Sequence, residues 1–439
     1  MPISKSMRNA VVATVVILTL LGAEAWAQQQ VITFNDNGGW CWFQDERALI
    51  HDGKLIIGSV ANALGTDGAD RGGNIEVTTF DLTGRKRLAT ATLHAHLEND
   101  DHDAPALLAL PNGHLLAVYA THGRDKLIRT RISAYPGDAA SWLAESTIAR
   151  EAGVTYSNLF LLDSGDSRKP TIYNFYRGEH WNPNWVVSED LGETWRYGGR
   201  LIDFKGRPYL KYASNQRDTI HFVTTEHHPH NYHNSLYHAY LKDGQLHRSD
   251  GVLIGDMSEA SIKPEQATTI FAGDANNVAW PCDLHLDKAG HPYVVYSVQK
   301  SLTPKDIRYR YARWDGRTWR DHFLAHAGTA LYDPEAHYSG LVALDPADPD
   351  RLYLSTDADP VTGQPLISTK DQKRHYEIFA GRTNDGGTTW DWKPVTENSD
   401  VDNIRPIVPI GCETEDVLLW LRGTYTSYTK YDLDVVGII

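Results

Sequence analysis

Ser188-Glu189-Asp190-Leu191-Gly192-Glu193-Thr194-Trp195 returns far downstream as Thr383-Asn384-Asp385-Gly386-Gly387-Thr388-Thr389-Trp390, with a worn copy, Asp315-Gly316-Arg317-Thr318-Trp319, between them. The shared pattern, Ser/Thr-x-Asp-x-Gly-x-Thr-Trp, has a local physical meaning. The Asp caps a tight turn by accepting from backbone N–H groups, and the Gly takes φ > 0. The Trp then offers a large apolar body to pack between neighbouring units. A turn that recurs with its chemistry intact marks a repeated sheet unit, so these stretches speak for fold and not for catalysis.

Outward from them, helical periodicity is almost missing. Short apolar or alternating runs recur instead, each ended by Gly, Asp, Asn or Pro. Leu115-Leu116-Ala117-Val118-Tyr119-Ala120, Thr219-Ile220-His221-Phe222-Val223, Pro292-Tyr293-Val294-Val295-Tyr296-Ser297 and Arg351-Leu352-Tyr353-Leu354-Ser355 are examples. The chain therefore reads as all-β. Repeat folds grow by adding units around one axis, so 28–439 is expected to form a single β-propeller domain, although length alone allows two or three domains.

The N-terminus reads as a signal peptide over 1–27. Lys5 and Arg8 precede an apolar run from Val11 to Leu21, and Ala25-Trp26-Ala27 supplies a small-x-small cleavage site before Gln28. The run is shorter than the roughly 20 apolar residues of a membrane span. Export to a periplasm or the medium follows, with no membrane attachment, and a monomer is expected. The formal charge of −14 excludes a global basic face for nucleic acid. A local cluster of cations can still hold an anion. Cys41, Cys282 and Cys412 permit at most one disulfide, Cys41 with Cys412 if the chain ends meet. Three small buried residues are an equal reading.

The repeated turn resembles the Asp-box (BNR) hairpin of sialidase-like propellers, and longer segments resemble the BNR-4 repeat group. Those segments include Gly39-Trp40-Cys41-Trp42-Phe43-Gln44-Asp45, Asp100-Asp101-His102-Asp103-Ala104-Pro105, Thr121-His122-Gly123 and Thr155-Tyr156-Ser157-Asn158. Tyr173-Asn174-Phe175-Tyr176-Arg177-Gly178, Arg207-Pro208-Tyr209-Leu210-Lys211-Tyr212, Thr225-Glu226-His227-His228-Pro229 and Asn403-Ile404-Arg405-Pro406 continue the series. The resemblance covers nearly all of the mature chain and implies a seven-bladed β-propeller. Within the group the segments are most similar to propeller-type ulvan lyases, secreted enzymes that cut a sulfated algal polysaccharide between rhamnose-3-sulfate and a uronic acid. That likeness implies a catalytic set of two His, a Tyr and an Arg: His102, His122, Tyr156 and Arg177. The interval from Tyr156 to Arg177 is longer than in those lyases, which a longer hairpin at 163–167 accounts for.

Uronate β-elimination gives such residues work to do. The carboxylate must be neutralised so that the C5 proton becomes acidic; a base must take that proton, and an acid must protonate the departing O4. Arg177 suits the first task, because its planar fork pairs bidentately with a carboxylate. His102 and His122 titrate near neutrality, and Tyr156 can act as acid or base. No metal or covalent nucleophile is required. Each residue also has a plainer role: His102 as a turn residue in an acidic loop, His122 as a strand-end cap, Tyr156 as packing, Arg177 as a stem over apolar surface. By position, Asn182, Lys211, Tyr212 and His227 are candidate sugar or sulfate contacts. A structural zinc or calcium ion is the one cofactor left open, held by His228 (or His227) with Cys282 and His337, against the commoner reading of solvated histidines.

Two other functions fit the same fold. One is a rhamnose–glucuronate lyase or a rhamnosidase, and Gln44, standing where the rhamnosidase branch uses a proton-carrying His, counts against the latter. The other is a non-catalytic carbohydrate-binding propeller, which would bind an anionic polysaccharide without cutting it.

Overall fold

The computed structural model describes residues 30–439 except 166–168, 301, 302, 304, 333 and 412–416. The expected signal peptide, Cys412 with its proposed disulfide, and part of the 163–167 hairpin therefore lie outside the described residues. Among those described, seven antiparallel sheets follow one another along the chain. Blade I spans 48–94, II 106–149, III 155–200, IV 210–271, V 278–328, VI 342–394 and VII 402–438. The expected seven-bladed β-propeller is thus the observed fold. Blade IV carries two extra strands; the rest have four.

Blade VII takes its outermost strand from the other end of the chain. Ile32–Asn35 pairs antiparallel with Lys430–Ile438, setting Ile32 opposite Gly437 and Thr33 opposite Val436. A parallel bridge from Leu49 to Ile410 joins blades I and VII. The ring is closed by backbone hydrogen bonds.

Each blade has a neighbour on both faces, so its inner strands must be apolar on both sides. Leu115–Tyr119 and Pro292–Gln299 are buried at every position. The outer strand Lys86–His94 alternates with solvent instead. The two complete Asp boxes make one bonding pattern. Asp190 Oδ1 accepts from Thr194 N at 2.9 Å, Ser188 Oγ accepts from Gly192 N at 2.8 Å, and Gly192 has φ +92°. Asp385 and Thr383 repeat this with Thr389 N at 2.9 Å and Gly387 N at 3.0 Å. The second box docks on its neighbour: the Trp390 ring lies 5.3 Å from Tyr311 of blade V.

Strand parity now decides which residues share a face. The chain enters each first strand from one face of the ring, and the second strand returns to it. All three Asp-type turns join third and fourth strands, hence lie on the opposite face. His102 precedes the first strand of blade II, and Tyr156 opens Thr155–Leu162, the first strand of blade III. His122 follows Leu115–Tyr119, and Arg177 ends Thr171–Arg177, both second strands. The four belong to one face.

Residues 40–47 cross the axis beneath that face. Trp42 stacks on Trp280 at 6.1 Å, and Phe43 packs on Tyr209 at 4.2 Å. Arg47 donates to Ser157 O at 2.7 Å, and Glu46 pairs with His285 at 3.1 Å. Blades III, IV and V thereby share one aromatic and ionic plug.

Candidate active site

Asp100 builds the centre of the site. It caps the short turn Asp101–Asp103, its Oδ1 accepting from His102 N at 3.0 Å. The same oxygen lies 2.6 Å from His102 Nδ1, while Oδ2 lies 3.0 Å from His122 Nδ1. One carboxylate thus holds two imidazoles, whose rings stack with centroids 3.7 Å apart and planes 12° from parallel. With Nδ1–H of each ring donated to Asp100, Nε2 is the atom left for a ligand. Gln44 locks the turn from below, donating to His102 O at 2.7 Å and Ala104 O at 3.1 Å. Tyr428, from blade VII, sets its ring edge-on to both imidazoles at 5.2 and 5.5 Å. Behind them Asp101 accepts from Arg405 Nη1 at 2.6 Å and Tyr425 OH at 3.0 Å.

Tyr156 reaches this pair through a strained backbone. Its φ is +63°, at a bulge where the pairing of Thr155–Leu162 shifts between Thr155 and Asn158. An aromatic residue rarely takes that conformation, and bulges are a recurrent way to re-aim a side chain. The ring stands 5.5 Å from that of His102. Arg177 lies over its other neighbourhood, Cζ 4.8 Å from the Tyr156 ring centre. Among the described residues, Tyr156 OH and the Nε and Nη2 of Arg177 find no hydrogen-bond partner, although both side chains are buried. Phe43, Pro183, Pro208 and Tyr209 wall this groove. A buried guanidinium with unused donors is costly unless a ligand completes it, and its fork matches a carboxylate.

The electrostatics divide the two histidines. Burial opposes charge on His102, while Cys41 and Asp100 act the other way; Asp100, ionised and 2.6 Å distant, is the group that counts at neutral pH. The His102 pKa accordingly stands well above its ordinary value. Burial, and then the charge on His102, push His122 down to about 4. Burial raises the Tyr156 phenol well above its usual range, with Arg177 pulling part of the way back. Near pH 7 the site therefore holds an imidazolium, a neutral imidazole, a neutral phenol and a guanidinium.

The remaining candidates scatter. Asn182 is buried and ties two loops, donating to His180 O at 3.1 Å and Phe204 O at 3.2 Å. Lys211 is also buried, its Nζ on Gln44 O at 2.5 Å, and Tyr212 stacks on Phe175 at 4.8 Å inside the core. Lys211 is thereby committed to the plug, whereas Tyr212 also lines the groove beside Tyr156 and Arg177. His227 borders an open cleft beside Trp181. The expected metal set does not assemble. His228 pairs with Glu335 at 3.3 Å, Cys282 Sγ lies 4.0 Å from Trp280 O, and His337, its ring 6.5 Å from that of His230, has both ring nitrogens without a hydrogen-bond partner among the described residues. Described groups whose ligating atoms do converge are Cys41/Asp101/His102, Asp100/His102/His122 and Glu46/Asp283/His285. Bonds already given join Asp100 to both histidines, Asp101 to Arg405 and Glu46 to His285.

Fold, Asp boxes and site define a BNR-type propeller with a polar, aromatic-walled groove on one face. Residues 68–327 match the family model described as BNR repeat-containing family member, and the chain belongs to that family. No curated protein matches it. Among solved structures, a polysaccharide lyase PL25 ulvan lyase bound to -[GlcA(1-4)Rha3S]- is 14% identical, with 93% of this chain and 96% of that chain covered and a TM-score of 0.68. Polysaccharide lyase Uly1 is 11% identical over 94% and 98%, TM-score 0.55. A lectin from Burkholderia pseudomallei is 11% identical over 93% and 97%, TM-score 0.52. At such identities the likeness is one of fold.

Proposed function

We propose that the protein is an exported polysaccharide lyase that cleaves a sulfated, uronate-containing polymer of the ulvan type by β-elimination. The observation that carries this reading is the Asp100-bridged histidine pair facing Tyr156 and an Arg177 with unused donors. Arg177 and the His102 imidazolium neutralise the uronate carboxylate, which acidifies the C5 proton. Nε2 of neutral His122 takes that proton as the C4–C5 double bond forms. The C4–O4 bond breaks, and the Tyr156 phenol donates its proton to O4. Atoms and charge balance without a further reactant.

The ligand bound to one structural neighbour, -[GlcA(1-4)Rha3S]-, contains such a uronate and supports the choice of substrate class. Gln44 weighs against a rhamnosidase: its amide is committed to His102 O and Ala104 O, and its carbonyl to Cys41 N. Incubation with ulvan is the test. A lyase produces ultraviolet-absorbing unsaturated uronate, a glycosidase produces reducing ends without that absorbance, and a lectin produces neither. Absence of the absorbance on every uronate polymer would overturn the proposal.

A further inference from the structure

Beside Arg177 the same face opens into a cleft of about 480 Å³ whose lining includes His180, Trp181, Arg200, Lys205, Arg207 and His227. Its charge runs against that of the chain. The protein carries −14 overall, yet the acid in this lining, Asp203, is already paired with Arg200 at 3.1 Å. Among the described residues neither Lys205 nor Arg207 has an ion-pair partner. The further acid that acts on Arg207, Glu335, is itself paired with His228 at 3.3 Å, and basic lining in an acidic protein is a mark of an anionic ligand.

Trp181 is the second observation. Its side chain is 52% exposed beside this cleft, and it is held there by backbone that L-residues avoid: His180 has φ +55° and Trp181 φ +65°. Asn182 pins the turn, its amide bonding His180 O and both Phe204 O and Phe204 N across the cleft. The guanidinium carbons of Arg177 and Arg207 lie 5.2 and 5.0 Å from the indole centre. One exposed ring therefore links the arginine of the elimination site to a second, uncommitted arginine.

We infer that this cleft is a second anion subsite adjoining the reacting uronate, in which Arg207 takes a sulfate ester and Trp181 supports the face of the sugar that bears it. The inference rests on the lyase reading above. A sulfate ester keeps its charge at every working pH, and a permanently charged planar donor is its natural partner.

The test compares wild type, Arg207→Ala and Trp181→Ala on ulvan and on the same polymer after chemical desulfation, scored by unsaturated-uronate formation. Arg207→Ala should raise KM on the sulfated polymer by about tenfold or more, the loss of one charge-assisted contact, with kcat held. KM on the desulfated polymer should not move. Trp181→Ala should raise KM on both. Equal KM changes on the two polymers for Arg207→Ala, or none, would overturn the sulfate assignment. If wild type cleaves neither polymer, the lyase reading fails separately, and calorimetric binding of sulfated against desulfated oligosaccharide decides the subsite. A sulfate-dependent affinity lost in Arg207→Ala upholds it, and equal affinities sink it.

Discussion

Replacing Asp100 with asparagine changes almost no volume and removes the one group that both imidazoles share. The carboxylate accepts from two Nδ1–H donors, at 2.6 and 3.0 Å. An amide offers one oxygen and one NH2, so it can satisfy only one histidine in its present tautomer and must turn a donor on the other. A hydrogen bond to a charged group contributes roughly 1.5–3 kcal/mol and a neutral one roughly 0.5–1.5, so losing one bond and the charge on the other amounts to roughly 2.5–4.5 kcal/mol. At about 1.36 kcal/mol per tenfold in rate, kcat/KM should fall about 10²- to 10³-fold. The turn itself should survive, since the amide oxygen can still cap His102 N. Loss of the anion also lowers the His102 pKa, so the alkaline fall of kcat/KM should move to lower pH. The assay is initial-rate ultraviolet absorbance on ulvan across pH, with circular dichroism to establish folding. A variant within about fivefold of wild type, with the same pH profile, would refute the shared-carboxylate reasoning.

Arg177→Lys keeps the charge and loses the fork, so kcat/KM should drop about 100-fold, while a full-rate variant would deny carboxylate pairing. Because His122 is neutral above about 4 and His102 stays charged well past its ordinary value, kcat/KM should be flat through mildly acid pH and fall only near pH 4; an acid limb centred near about 6.5 would contradict this. Asp103 is buried with neither oxygen partnered among the described residues, and burial followed by the Asp100 charge raises its pKa well above normal. Its folded form keeps a proton that the unfolded chain releases above about pH 4, so it costs stability as pH rises, up to about 1.4 kcal/mol per pH unit. The Tm advantage of Asp103→Asn should therefore widen as pH rises above about 4, and calorimetry showing a constant or reversed difference would refute it. Asp190→Ala breaks an Asp box on the opposite face; it should lower Tm without changing kcat/KM, and a selective loss of rate would place that face in the chemistry.

Turn and strand chemistry is local, which is why the propeller is legible in the sequence. Ser188–Trp195 and Thr383–Trp390 form the bonds their residue types demand, and the inner-strand runs are buried on both sides. The site was legible only in part. His102, His122, Tyr156 and Arg177 do meet, but Asp100 had looked like an acidic turn neighbour, and its bridging role needs the second strand of blade II to return beside it. Arg405 meets Asp101 across 304 residues of sequence, and Tyr428 arrives from the last blade. No short-range pattern reports such contacts. Lys211 has the right chemistry for sugar binding, yet its place on the inner strand Leu210–Ser214 commits its ammonium to Gln44 O. Tyr156 owes its aim to a left-handed bulge, a conformation its residue type argues against.

The most direct measurement follows ultraviolet absorbance and new reducing ends together as the purified protein acts on ulvan, beside Arg177→Ala and His122→Ala. The account predicts that both signals rise in parallel for wild type and that both variants, folded, leave them flat. Reducing ends appearing without absorbance, or either variant matching wild type, would contradict it.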